Sequence, residues 1–307
     1  MQKRISIIGV PMDYGQSRRG VDMGPTAIRY AGVVNKLQTL GYTVNDLGDI
    51  HIPIDSTTDQ QTNLKNLRSV ISANDLLYQQ VQKVVEDGEF PLVLGGDHSI
   101  AIGSIAGIQT KYENLGVIWY DAHGDLNTPE TSPSGNIHGM SLAVNLGLGH
   151  ASLTSLGGDK PKIKPENVVI IGARDLDNGE KLLIKKLGLK VFTMHEIDKL
   201  GMSKVIEETL EYLKHTDGVH LSLDLDGIDP IYCPGVGTPV LGGITYRESH
   251  LALELLSEAG VITSAEFVEV NPILDEKNKT ANIAVALIGS LFEEKTLEPL
   301  PVAETVG

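Results

Sequence analysis

Cysteine is almost absent from this chain, which carries one, Cys233, in 307 residues. A single cysteine excludes an intrachain disulfide and a metal site built from several thiolates. Long apolar runs are also missing, since none reaches the roughly 18 residues that a membrane-spanning helix needs. The apolar stretch after Met-Gln-Lys-Arg at the N-terminus is too short for a signal peptide. We therefore expect a cytoplasmic protein that does not associate with membranes.

Basic residues are scarce relative to acidic ones, with 25 Lys and Arg against 40 Asp and Glu and a net charge of −15. Such a surface repels phosphate backbones and anionic lipids, which argues against nucleic-acid and membrane partners. It attracts metal ions and cationic small molecules instead. Acidity also keeps a protein soluble, so the net charge alone does not distinguish a role in binding cations from a role in solubility.

Short apolar segments rich in Val and Ile alternate with longer segments of helical spacing. The strand-like segments are residues 5–10, 92–94, 116–120, 168–172, 190–193, 220–225 and 264–270. The helical segments are residues 62–87, 179–187, 203–214, 246–258 and 279–293. This alternation predicts a single α/β domain over residues 1–307, with a mostly parallel sheet covered by helices on both faces. Residues 294–307 are predicted to form a polar C-terminal tail.

Ionisable residues follow three of these strands at the points where the strands end. The carboxyl ends of parallel strands meet at one edge of a sheet. Alternate residues of an extended chain also share a face, so the spacing within each cluster favours convergence. Six side chains are expected to meet there: His98, Asp121, His123, Asp125, Asp224 and Asp226.

Four carboxylates packed together repel one another unless a counter-charge is present, and two divalent cations would supply it. Carboxylate and imidazole ligands without sulfur suit Mn²⁺ and, less selectively, Mg²⁺, Fe²⁺, Co²⁺ or Zn²⁺. An aspartate after a strand is often only a turn former or a helix cap. Three clusters in one chain favour a two-metal site over that alternative. An EF-hand is excluded, because Asp229 and Gly235 stand where its glycine and glutamate would be.

The same clusters resemble the three signature motifs of the ureohydrolase superfamily. The matching segments are residues 96–99, 121–125 and 222–230, and the likeness extends from residues 9–12 to residues 269–272. Within the superfamily, the chain most resembles the bacillus-type bacterial arginases. The resemblance implies one α/β domain with a sheet of about eight strands, assembled as a homo-oligomer, either a trimer or a hexamer.

The resemblance also implies a cofactor of two Mn²⁺ ions. Asp121 and Asp224 would bridge both ions. His98 and Asp125 would complete the ligands of one ion, and His123 and Asp226 those of the other.

The activity implied is hydrolysis of L-arginine to L-ornithine and urea by a metal-bridging hydroxide. Glu269 would hold the guanidinium group, and His138 would shuttle protons. The α-carboxylate would be received by Asn127, Ser134 and Asn136, and the α-ammonium by Asp177.

Two other functions stay open at this point. One is a sister ureohydrolase such as an agmatinase or a guanidinobutyrase, with the same metal chemistry and a different pocket for the rest of the substrate. The other is a catalytically idle protein in which metal only stabilises the fold. The polar loop over residues 127–136 favours arginine, because agmatine has no α-carboxylate to recognise.

Overall fold

The structure is a computed structural model that describes residues 4–52 and 64–294. Within these residues the core is one sheet of eight parallel strands, in the order β2-β1-β3-β8-β7-β4-β5-β6. The strands are β1 (Arg4–Val10), β2 (Thr43–Asp49), β3 (Phe90–Gly95), β4 (Leu115–Tyr120), β5 (Val168–Ala173), β6 (Lys190–Thr193), β7 (Gly218–Asp224) and β8 (Ile262–Val268).

Eleven α-helices connect and follow these strands in the described part of the chain. They are α1 (Gly24–Tyr30), α2 (Val33–Thr39), α3 (Leu67–Glu86), α4 (Ala101–Gln109), α5 (Ser141–Asn145), α6 (Ala151–Thr154), α7 (Asn178–Leu187), α8 (Met194–Leu200), α9 (Met202–Leu213), α10 (Tyr246–Ala259) and α11 (Lys279–Leu291). None of the helices described is long and apolar enough to cross a membrane.

Each strand divides its side chains between two apolar layers, as the period of two in a strand requires. Ile118 and Tyr120 of β4 belong to one layer, which is completed by α1, α2 and α8 to α11. Val117 and Trp119 of the same strand belong to the other, which is completed by α3 to α7. The predicted single α/β domain with helices on both faces of a parallel sheet is confirmed.

The structure differs from the sequence prediction mainly at the edge of the sheet. Strand β2 (Thr43–Asp49) was not predicted, because six of its seven residues are exposed and it lacks a buried apolar run. The short helices α1, α2, α4, α5, α6 and α8 were also not predicted. The helix predicted over 62–87 begins at Leu67. Residues 62, 63 and 295–307, and with them nearly all of the predicted tail, lie outside the described residues.

Four central strands bring the predicted site together. Strand β7 pairs with β4 on one side and β8 on the other, so that Leu223 lies opposite both Tyr120 and Phe267. Strand β3 pairs with the far side of β8. The residues that follow β3, β4, β7 and β8 therefore leave the sheet at a common edge.

Candidate active site

His98 lies at the centre of the first group of candidate metal ligands. Its Nδ1 atom is 3.1 Å from an oxygen of Asp121, 3.1 Å from an oxygen of Asp125 and 3.2 Å from an oxygen of Asp224. All four side chains are buried. Two ligand atoms at right angles around a small divalent cation, each about 2.1 Å from it, are about 3.0 Å apart. The spacing in this group suits ligands of one ion.

His123 lies in a second group beside the first. Its Nδ1 atom is 3.1 Å from an oxygen of Asp226 and 3.4 Å from Oδ1 of Asp121. Asp121 uses Oδ2 toward His98 and Oδ1 toward His123, so its carboxylate lies between the two groups. The structure brings all six predicted ligands together, in an arrangement with room for two cations that share Asp121.

The local backbone explains how the ligands converge, and it is not the extended chain that the sequence suggested. Residues 121–123 form bends beyond β4, and Asp125 has a left-handed backbone with φ of 50°. Asp224 ends β7, while Asp226 lies in a 3₁₀ turn. Each turn is tightened by an aspartate that accepts the N–H two residues later, at 2.7 Å for both Asp121 and Asp224. The orientation of these carboxylates is therefore set by turns, and not by the alternation of side chains along an extended strand.

The electrostatics of this cluster are dominated by four carboxylates that lie close together beside two imidazoles. Burial and the neighbouring carboxylates raise the pKa of Asp224 well above its usual value. Burial opposes protonation of His98, but the surrounding Asp121, Asp125 and Asp224 outweigh it and hold the pKa of His98 well above its usual value. Both shifts indicate that the buried carboxylates favour a positive charge beside them. Two divalent cations fit this donor set, because they would allow the carboxylates to stay ionised.

The far side of the His98 ring is fixed by a buried polar chain that the sequence analysis missed. Nε2 of His98 is 2.7 Å from the Ser222 hydroxyl, which donates to Glu266 at 2.7 Å. Hydrogen bonds from its neighbours outweigh burial and lower the pKa of Glu266, so it is an ionised acceptor. Because Ser222 donates to Glu266, it accepts the proton on Nε2 of His98. Nδ1 is then free to act as a ligand.

Trp119 holds the same ring from another direction. Its indole stacks on the His98 imidazole with ring centroids 4.1 Å apart and planes 6° apart. Its N–H also donates to Asp121 at 3.0 Å. One fully buried side chain therefore orients two of the candidate ligands.

His138 and Glu269 form a pair beside the metal groups. Nδ1 of His138 is 3.2 Å from Oε1 of Glu269, which also accepts the backbone N–H of His98 at 2.9 Å. Gln16 donates to the other oxygen of Glu269 at 3.0 Å. Burial lowers the pKa of His138, but Glu269 outweighs it and raises the pKa to about 9. A protonated His138 at neutral pH is suited to donate a proton.

The remaining predicted site residues line one pocket of about 140 Å³ above the metal groups, which His138 also borders. They are Asn127, Ser134, Asn136 and Asp177. Asp177 begins α7 in a capping box with Glu180, and it accepts a hydrogen bond from Asn127 at 2.8 Å. Glu269 is buried next to His138 and does not border the pocket. The structure thus gathers every predicted residue within one connected site.

Comparison with known proteins agrees with this geometry. The model of the Arginase family matches residues 3–293. An arginase of Bacillus subtilis is 68% identical over 297 residues, which cover 97% of this chain and all of that protein. The crystal structure of an arginase from Bacillus caldovelox superposes with a TM-score of 0.94 at 66% identity, covering 96% of this chain and all of the other. The crystal structure of a hypothetical agmatinase from Burkholderia thailandensis is 24% identical and shares the fold, with a TM-score of 0.75, covering 94% of this chain and 85% of the other.

Two adjacent groups of histidine and aspartate side chains lie at the carboxyl ends of the parallel strands. This is the architecture of the ureohydrolases, a class of hydrolases. Within that class, the chain belongs to the Arginase family. The resemblance inferred from the three sequence motifs is confirmed.

Proposed function

We propose that this protein hydrolyses the guanidino C–N bond of L-arginine to give L-ornithine and urea. The observation that carries the proposal is the shared Asp121 carboxylate between the His98 and His123 groups, with the His138–Glu269 pair alongside. Relatives of high identity over nearly the whole chain are arginases, which supports arginine as the substrate.

The cofactor in this proposal is two Mn²⁺ ions per chain. His98, Asp125, Asp121 and Asp224 would hold one ion, and Asp121, Asp224, His123 and Asp226 the other. Asp224 meets the first group through Oδ2, while its Oδ1 accepts the backbone N–H of Asp226, so its place among the residues that would hold the second ion rests on the family pattern. When bound, the two ions would activate water as Lewis acids at neutral pH.

The protein's own residues position the substrate and move the protons. The Glu269 carboxylate would attract the guanidinium and orient its carbon for attack. The amine that leaves when the C–N bond breaks must gain a proton. His138, held protonated by Glu269, would donate it and then recover one from solvent. Pocket walls around these residues would limit competing water.

The pocket above the metal groups would hold the amino-acid end of the substrate. Asn127, Ser134 and Asn136 offer polar groups for the α-carboxylate, and Asp177 offers a carboxylate for the α-ammonium. Asn127 already donates one N–H to Asp177 and accepts from Thr131 at 3.0 Å, which leaves its second N–H for the substrate. We place the active enzyme in the cytoplasm as a closed homo-oligomer, a trimer or a hexamer, in line with the family pattern and the single buried cysteine.

Urea release from L-arginine and from agmatine, measured side by side on the Mn²⁺-loaded enzyme, tests the substrate. We expect kcat/KM for arginine to exceed that for agmatine by about 100-fold or more, because unpaired donors in the pocket penalise the substrate that lacks the carboxylate. Equal turnover of the two substrates would contradict the proposed preference for arginine and would favour the agmatinase alternative. Absence of urea from both would refute arginase and agmatinase activity and would favour a sister ureohydrolase with another guanidino substrate, such as a guanidinobutyrase.

A further inference from the structure

A lysine outside the pocket is bonded to the loop that lines it. Nζ of Lys65 lies 2.7 Å from the Ser17 hydroxyl and 3.0 Å from Oδ1 of Asn136. Ser17 itself donates to the same Oδ1 at 2.8 Å. The backbone N–H of Lys65 donates to the carbonyl of Gly135 at 3.0 Å. Lys65 is thus joined to this loop by both its main chain and its side chain.

These contacts decide which way the Asn136 amide faces. A lysine ammonium group only donates hydrogen bonds, so the atom of Asn136 that meets it must be the carbonyl oxygen. With Oδ1 engaged by Lys65 and Ser17, the NH₂ group of Asn136 has no hydrogen-bond partner within residues 4–52 and 64–294. Since Asn136 borders the pocket, it has two free N–H donors to offer a ligand there.

The charge of the pocket shows why a cation is needed at this position. Asp175, Asp177 and Glu180 border the same pocket, in addition to the candidate metal ligands. An anionic ligand group entering so acidic a space is repelled. The Lys65 ammonium offsets that repulsion on the side of Asn136, and it polarises the Asn136 amide toward stronger donation.

We propose that Lys65 is a specificity-determining residue for substrates with an α-carboxylate, and that it acts by orienting Asn136 and by its charge. This inference rests on the proposed function, since it concerns the same pocket. It limits the substrate class to guanidino amino acids and predicts discrimination against guanidino amines. Lys65 is a positioning residue, because it reaches the ligand through Asn136.

The test compares two probes that differ only by the carboxylate, L-ornithine and putrescine, bound to the Mn²⁺-loaded enzyme in calorimetric titrations. Lys65→Met keeps most of the length of the unbranched side chain and removes the charge. We expect it to weaken ornithine binding about tenfold, equivalent to about 1.4 kcal/mol, and to change putrescine binding less than twofold. The same variant should raise KM for arginine and leave kcat nearly unchanged. Lys65→Arg should retain most of the preference, since it keeps the charge and the donors.

Lys164→Met is the matched control, because Lys164 is also exposed and also donates to an asparagine oxygen, at 2.9 Å on Asn114. This control should leave both probes unaffected. Equal weakening of ornithine and putrescine by Lys65→Met, or no weakening of either, would overturn the role of Lys65 while the arginine reaction stands. A wild-type enzyme that releases no urea from arginine would instead overturn the proposed function itself.

Discussion

Replacing Ser222 by alanine tests how the protein prepares a metal ligand. Ser222 is fully buried, and its hydroxyl joins Nε2 of His98 to the Glu266 carboxylate through two contacts of 2.7 Å. Glu266 is held in turn by Ser104, which donates to it at 2.6 Å. The substitution removes one oxygen atom and leaves the backbone of β7 unchanged. It therefore isolates the contribution of this hydrogen bond to metal binding.

The size of the effect follows from the burial of the groups left behind. Without Ser222, the N–H at Nε2 of His98 loses its acceptor in a buried space, which costs about 1–3 kcal/mol. In metal-free protein the ring can turn or change its proton to relieve part of this cost, whereas a ring bound to metal cannot. The remainder therefore weakens metal binding. We expect Mn²⁺ affinity to fall about 10- to 100-fold, the usual range for the loss of such a supporting contact.

The assay is competition for Mn²⁺ between the protein and a chelator, followed through the electron paramagnetic resonance signal of the free ion. Ser264→Ala is the matched control, since Ser264 is equally buried on the neighbouring strand and contacts His220 at 3.0 Å. The control should bind Mn²⁺ like the wild type. Wild-type affinity in Ser222→Ala would refute the reasoning, and so would an equal loss in both variants.

Three further outcomes follow from the site. Chelation should abolish urea release and Mn²⁺ should restore it best, because the candidate ligands are carboxylates and imidazoles; full activity in protein shown to be metal-free would contradict this. His138→Ala should lower kcat about 10²- to 10⁴-fold while both ions stay bound, and loss of the ions would make His138 a ligand instead. Burial opposes protonation of His138, but Glu269 raises its pKa to about 9, so proton donation should decline as pH rises through that value. In metal-free Glu269→Gln, an NMR titration should show the pKa of His138 falling toward 6.5, and no fall would exclude Glu269 as the cause.

The fold and the convergence of the candidate ligands were accessible from the sequence because both depend on strong local patterns. Parallel strands buried on two faces are nearly continuous apolar runs, as in β3, β4 and β5, while β7 and β8 contain buried polar residues among their apolar ones. Strand β2 has no such run and is stabilised as an edge strand by pairing with β1 and by ion pairs of Arg29 with Asp46 and Asp49. Pairing between segments that are far apart in the sequence does not produce a periodic pattern of apolar residues in the edge strand.

The supporting residues were missed for a different physical reason. Ser222 and Glu266 lie inside buried strands, where a polar residue among apolar ones does not by itself indicate a function. Their meaning depends on the neighbouring strand, since Ser222 lies opposite Glu266 in the β7–β8 register. One signal was available: His220, Ser222 and Asp224 alternate with leucines, which places three polar groups on one face of a buried strand. Such a pattern predicts a buried polar network rather than an exposed edge.

The position of β8 in the sheet has a consequence for how much of the chain must be made before the candidate site can form. Within the described residues β8 is the last strand along the chain, and it lies between β3 and β7, so it joins β2, β1 and β3 to the four strands on its other side. His98 follows β3, whereas the aspartate ligands follow β4 and β7, on the opposite side of that seam. More than half of the chain follows His98, and without β8 the strands that precede His98 and the aspartates share no hydrogen-bonded neighbour within the described residues. A polypeptide that stops before β8 would therefore carry all six candidate ligand residues without the strand that brings them together.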